Sequence, residues 1–337
     1  MNKNRIPTLD GWRGIAILFV LLTHYQDGIL RHNLFGQRWL DLGQHGVTIF
    51  FVLSGFLITS NLLLEKSIDL CRFYIHRFFR LMPAAGTYLL ILVLITAFTS
   101  WKVIGHDLWA ALFFYRNYLG ETPTSSSTLH FWSLSLEEQF YLVWPPVLAL
   151  IRRRNAMIAA IAGVIGMAAY RWMYWAYYSV GFRFIHTEVR AGALLVGCLL
   201  SLVLQDEQVK AMFVKHPRAI FYISLTVLAV DIHHFHALIP LTEALSIALM
   251  IGVTIHNPDM WPSRVLEFDH LKLTGKMSYS FYIWQDFFLR YNFAFYGLFL
   301  LPVVASGSYA FIELPGIALG RKLLQRREPV RLEVASG

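Results

Sequence analysis

The chain has 337 residues, 56% of them hydrophobic and 15% charged, with a mean hydropathy of +0.51 and a formal net charge of +8. That balance excludes a water-exposed globule of this size, so lipid must supply part of the solvent. The positive charge does not mark a nucleic-acid binder, because Lys and Arg are spread between apolar runs and form no single stripe.

Residues 1–30 join basic positions to an apolar run without the small-residue cleavage pattern of a removable signal, and are expected to form an uncleaved first helix. A spanning helix needs about 20 mostly apolar residues, and such stretches lie near 12–31, 44–64, 82–101, 131–151, 156–177, 186–204, 218–235, 237–256, 278–294 and 296–316. The expected fold class is therefore all-α, a polytopic membrane bundle of about ten transmembrane helices. Leu108–Leu119 is too short to cross and is expected to be a re-entrant or interfacial helix. With the amino terminus inside, 21 of the 29 Lys and Arg residues fall in the cytoplasmic segments, so both termini are expected in the cytoplasm. Cys71 and Cys198 sit on different segments and suggest neither a disulfide nor a zinc framework. Without an internal repeat, residues 1–337 are expected to form a single membrane domain, ending in a solvated basic tail after about residue 320.

Ionisable side chains at membrane depth are costly and carry the functional expectations. Arg13 and His24 are eleven positions apart, which in a helix is three turns plus roughly 20°, on one face and roughly 16 Å apart in depth. Alone, Arg13 reads as a snorkelling anchor and His24 as a structural histidine. Together they outline a path, and a neutral imidazole can take a proton from an acceptor hydroxyl, as general-base acyl transfer requires.

Arg77 and Arg80, in the run Arg77-Phe78-Phe79-Arg80-Leu81-Met82-Pro83, share a helix face. Guanidinium groups grip phosphate oxygens bidentately, which suits the phosphates of coenzyme A and equally suits anionic lipid headgroups. Further on, Ser133, Glu137 and Tyr141 fall at four-residue steps on one face. Ser133 or Ser135 with Glu137 or Glu138 could form a capping box. Two adjacent carboxylates point in different directions, however, so at least one is expected to face the interior, where His24 is at a compatible depth. Arg190, Trp132, Ser135 and Tyr141 complete the candidate substrate-binding set. Arg171, Asp286, Arg290 and Glu313 are less decisive. Asp231, His233, His234 and His236 look like metal ligands but lie in a short outer loop, where adjacent histidines are usually only solvated, and no metal is expected.

Four stretches taken in order resemble the acyltransferase-3 family of bacterial membrane O-acyltransferases. They are Leu9 to Gly14 (LDGWRG) with His24 following, Gly46 to Leu57 (GVTIFFVLSGFL), Arg77 to Pro83 (RFFRLMP) and His130 to Pro145 (HFWSLSLEEQFYLVWP). Ser278 to Trp284 (SYSFYIW) is a weaker match. The resemblance implies ten helices in the bacterial inner membrane, a cytoplasmic acyl-coenzyme A donor as co-substrate, acetyl above all, and no permanently bound cofactor. It also implies a carbohydrate or glycoconjugate acceptor, importance for His24 and Arg13, donor binding by Arg77 and Arg80, and Glu137 as the more typical of the two glutamates. Two departures stand out: Gln285 occupies a position where the family commonly has histidine, and Glu313-Leu314-Pro315 replaces Glu-Arg-Pro. A single-module transferase is expected, with His24 as general base, Glu137 orienting it and Arg13 lining the donor entrance. The rival expectation is a transporter or flippase for a lipid-linked or anionic saccharide, since buried Arg, His and Glu also line transport paths.

Overall fold

The computed structural model describes residues 6–29, 42–65, 67–100, 103–119, 126–177, 185–234, 240–289 and 294–325. In chain order the helices are α1 (Pro7–Ile29), α2 (Leu42–Leu63), α3 (Leu70–Phe98), α4 (Gly105–Leu112), α5 (Ser126–Leu129), α6 (Phe131–Leu150), α7 (Arg153–Tyr177), α8 (Thr187–Arg190) and α9 (Gly192–Val203). They continue with α10 (Glu207–Lys215), α11 (Pro217–His234), α12 (Pro240–His256), α13 (Trp261–Leu266), α14 (Asp269–Lys276), α15 (Ser278–Leu289), α16 (Ala294–Ser308) and α17 (Leu314–Gln325). No strand occurs among the described residues.

All ten predicted spans fall on helices, with 186–204 divided between α8 and α9 and 296–316 running from α16 through a π-helical turn into α17, but among the described residues only four helices are long and apolar enough to cross a membrane. These are Leu42–Leu63, Leu70–Phe98, Arg153–Met173 and Tyr296–Gln325, with a fifth if α9 and α10, bent by 100°, count as one. The shortfall has two causes. Asp10, Arg13 and His24 on α1, and Glu137 and Glu138 on α6, lower the apolarity of helices that are otherwise long enough, whereas α9, α12 and α15, at 12, 17 and 12 residues, are short for a span. Leu108–Leu119 forms the short α4 followed by a 3₁₀ turn at Arg116–Tyr118.

The centre of the bundle is α2, buried round most of its circumference and packed against α1 and α9. Close approach is possible because glycines meet backbone: a Cβ on Gly55 would lie 1.9 Å from the Leu194 carbonyl oxygen, and one on Gly197 would lie 2.0 Å from that of Val52. Small residues at such crossings let helices pack tightly in lipid. Gly55→Ala is therefore expected to force α2 and α9 apart and lower the yield of monodisperse protein in detergent size exclusion; a wild-type profile would refute the close contact.

On the periphery, α7 and the outward faces of α3 and α16 expose Leu90, Leu94, Ile165 and Val303, an apolar surface suited to lipid. At the end of the chain, a π-helical turn, Tyr309–Glu313, joins α16 to α17, and widened turns of this kind often mark functional sites. Gly316 and Gly320 let α17 lie against Phe79 and Pro83 of α3. This contact forms one wall of the site.

Candidate active site

Between α1, α2, α3 and α17 lies a wide cavity of about 1480 Å³. Its wall carries five cationic side chains, Arg13, Arg72, Arg80, Lys276 and Arg321, against three carboxylates, Asp10, Glu65 and Glu313. The positive excess favours an anionic occupant. Asp10 sits one turn before Arg13 on α1, with Oδ1 3.8 Å from Arg13 Nη1, and Glu313 accepts a hydrogen bond from Ser280 Oγ at 2.9 Å. Arg13, Glu65, Arg72, His76 and Arg80 also line a second cavity of about 370 Å³, so the wide one opens onto the smaller as a mouth onto a chamber.

One face of α6 supplies the polar wall of the chamber, because Ser133, Glu137 and Tyr141 recur every four residues. The helix begins at Phe131 with His130 as its N-cap residue, so neither Ser133 nor Ser135 caps it. Arg77 enters from α3 and is held by both glutamates: Nε donates to Glu138 Oε1 at 2.7 Å and Nη2 to Glu137 Oε2 at 3.2 Å. Its guanidinium also lies 3.8 Å from the centre of the Tyr141 ring. Ser54 Oγ donates to Glu137 Oε1 at 3.0 Å and the Tyr141 hydroxyl to Glu137 Oε2 at 3.4 Å. This differs from the expected arrangement. The carboxylate expected beside His24 is committed to Arg77, and the guanidinium expected to grip phosphate is committed to two carboxylates.

His24 lines neither cavity. Its Nδ1 lies 2.8 Å from the Val20 carbonyl oxygen, one turn back on α1, and its Nε2 lies 3.6 Å from Asp286 Oδ1 on α15. His130 Nδ1 is 2.9 Å from the other carboxylate oxygen, Oδ2. Asp286 is fully buried and His130 nearly so, whereas 24% of the His24 side chain remains accessible. Tyr282, one turn before Asp286, reaches the chamber; its hydroxyl is 2.6 Å from Ser133 Oγ and donates to the His130 carbonyl.

The remaining predicted residues lie elsewhere. Ser135 is fully buried, its Oγ accepting the Arg116 amide at 3.2 Å, and it is Ser133 that reaches the chamber. Trp132 packs edge-on against Phe51 at 6.1 Å, and the Arg190 guanidinium stands 6.0 Å from its ring while donating to Gln44. Arg171 and Arg190 border a small separate cavity of about 60 Å³. Trp12, inside the LDGWRG motif, is structural: it is buried and donates to Thr254 Oγ1 of α12 at 3.0 Å. Arg290, His236 and the side chains of Asp231, His233 and His234 lie outside the described residues. Cys71 is exposed and Cys198 buried. Sequence reasoning left His130 without a role and passed over Lys276 and Arg321 in the mouth. The one signal for His130 was its place at the head of the α6 motif.

An all-helical bundle with an apolar outer surface, a cationic mouth and a charged interior chamber is an integral membrane protein with a site built inside it. The sequence profile described as "Acyltransferase domain" matches residues 6–319, and the chain belongs to the acyltransferase-3 family. It is similar to the peptidoglycan O-acetyltransferase OatA of Listeria monocytogenes, 27% identical over 317 residues that cover 84% of this chain and 49% of the relative. A putative O-acetyltransferase of Staphylococcus aureus strain COL is 28% identical over 96% of this chain and 59% of its own length. The putative peptidoglycan O-acetyltransferase YrhL of Bacillus subtilis is 28% identical, with 96% and 56% covered. The chain thus spans about half the length of the curated relatives it matches. No solved structure matches it.

Proposed function

We propose that the chain is a membrane O-acyltransferase that moves an acyl group, acetyl above all, from acyl-coenzyme A to a hydroxyl of a glycan. The observation that carries this reading is the cationic mouth opening onto a chamber of about 370 Å³, within the range of roughly 300–1,000 Å³ usual for small-molecule sites. It does so in a chain of an acyltransferase family whose curated relatives are named for O-acetylation. In this reading the arginine-rich side is cytoplasmic, both termini face the cytoplasm, and the bilayer is the bacterial inner membrane. Acyl-coenzyme A is a co-substrate, with no resident cofactor.

The phosphates of the donor lie in the mouth against Arg80, Arg13 and Arg72, and the pantetheine arm extends into the chamber. Arg77, already neutralised by Glu137 and Glu138, shapes the chamber floor and holds Glu137 in place. His24, which borders neither cavity but is tied to the chamber wall through Asp286, His130 and Tyr282, takes the proton of an acceptor hydroxyl brought to its accessible face. A sugar polymer related to peptidoglycan is the acceptor class suggested by the names of the relatives, and Arg190 with Trp132 offers it a cationic and aromatic surface.

The test is glycan-dependent release of free coenzyme A by the purified protein in nanodiscs, with labelled acetyl-coenzyme A and peptidoglycan oligomers. Ester-linked label on the glycan supports the reading; glycan movement across a vesicle membrane without release of coenzyme A overturns it in favour of transport. Arg80→Ala is expected to weaken acetyl-coenzyme A binding about 10- to 100-fold, since one hydrogen bond to a charged group is worth about 1.5–3 kcal/mol. Isothermal titration in detergent reads this, and unchanged affinity removes Arg80 from the donor site.

A further inference from the structure

Three residues of α15, Ser278, Tyr282 and Asp286, are spaced four apart and therefore lie along one face. The first two reach the chamber, and the third is fully buried between the His24 and His130 imidazoles. A single carboxylate offers a separate oxygen to each ring, at 3.6 Å to His24 Nε2 and 2.9 Å to His130 Nδ1.

The partners assign the protons. A backbone carbonyl can only accept, so His24 Nδ1, 2.8 Å from the Val20 oxygen, carries the hydrogen, and in the neutral ring Nε2 is left as a bare lone pair. That lone pair is the basic atom of the ring, and the nearest carboxylate oxygen stands 3.6 Å away, too far for a hydrogen bond but close enough to neutralise a charge. His130 is arranged differently. Its Nδ1 donates to Asp286, and its buried Nε2 has no hydrogen-bond partner, so the ring anchors the carboxylate. Tyr282 ties the His130 carbonyl back to the chamber wall at Ser133.

We infer that Asp286 is the positioning carboxylate of the transfer reaction: held at one oxygen by His130, it presents the other to His24 and neutralises the proton that His24 takes up. The inference rests on acyl transfer with His24 as base. In that step the acceptor oxygen forms a bond to the acyl carbonyl carbon and the carbon–sulfur bond breaks, its electron pair leaving on sulfur. The hydroxyl proton passes to His24 Nε2 and then to that sulfur, giving ester and free thiol. A positive imidazole inside the bundle is costly without a fixed opposite charge, and Asp286 supplies one. Asp286 directly follows Gln285 on α15.

Asp286→Asn retains the shape and removes the charge. Its kcat, per folded protein in nanodiscs, is expected to fall about 100-fold or more, with KM for acetyl-coenzyme A within about twofold of wild type. Asp286→Glu is expected to recover part of the loss, and His130→Gln, which removes the anchor, is expected to reproduce the kcat-only defect even if Asp286→Asn does not fold. Wild-type kcat in folded Asp286→Asn or in His130→Gln, or a loss confined to KM, overturns the inference. His24→Ala measured alongside separates the two claims: activity surviving there defeats the base assignment itself, whereas an inactive His24→Ala beside a fully active Asp286→Asn defeats only the role of Asp286.

Discussion

Replacing His24 with alanine is expected to lower ester formation by about 10²- to 10⁴-fold, the range typical of lost general-base assistance, while leaving the amount of protein in the membrane unchanged. The asymmetry between function and stability follows from the surroundings of the ring. Its Nδ1 bonds only to a carbonyl of its own helix, its Nε2 stops short of a hydrogen bond to Asp286, and a quarter of the side chain remains accessible. Truncation therefore removes little packing and leaves no buried donor stranded. Acetyl transfer to peptidoglycan oligomers, normalised to protein recovered by size exclusion, reads the effect. Turnover within about tenfold of wild type would be too small a loss for a base and would move the proton acceptor elsewhere.

The second large effect is expected at Arg77, where stability suffers first. Arg77, Glu137 and Glu138 have side chains only 15–19% exposed, and the guanidinium is hydrogen-bonded to both carboxylates. Arg77→Ala leaves two adjacent carboxylates at membrane depth without their cation, and breaking a buried pair from one side costs about 3–5 kcal/mol. A clear drop in the thermal midpoint of the detergent-solubilised protein should follow, with part of it recovered by adding Glu138→Gln. If Arg77→Ala instead keeps its midpoint and loses only donor affinity, the direct phosphate-gripping role suggested by the sequence returns, and the chamber-floor role fails.

His24, Arg77 and Glu137 also show how far a linear reading reaches. The four-residue recurrence of Ser133, Glu137 and Tyr141 was legible because helical geometry alone puts them on one face, and all three do line the chamber. Arg13 was singled out because it shares a helix face with His24, and Arg80 because it shares one with Arg77, and both Arg13 and Arg80 line mouth and chamber alike. The pairing of carboxylates was not legible. At the sequence level Glu137 was the natural partner for His24 because its depth matched, yet depth says nothing about which way a helix is turned. Rotation of α6 gives Glu137 and Glu138 to Arg77 on α3, and α15 brings Asp286 to His24.

Composition and periodicity by themselves determined that this chain is helical and bound to lipid, where its long apolar stretches lie, and which side chains share a face. These are local properties, because a helix repeats every 3.6 residues and the bilayer tests each apolar run separately. Only the tertiary structure decided that Arg77 is neutralised by two glutamates, that Ser133 rather than Ser135 meets the chamber, and that Asp286 stands between His24 and His130. His24 and Asp286 are 262 positions apart, on helices α1 and α15 that pack on each other while α1 also packs against α2 and α14, where Gly275 approaches the Asp10 carbonyl. Nothing in the periodicity of either helix encodes their relative rotation, because it arises from surfaces that meet only when the bundle closes.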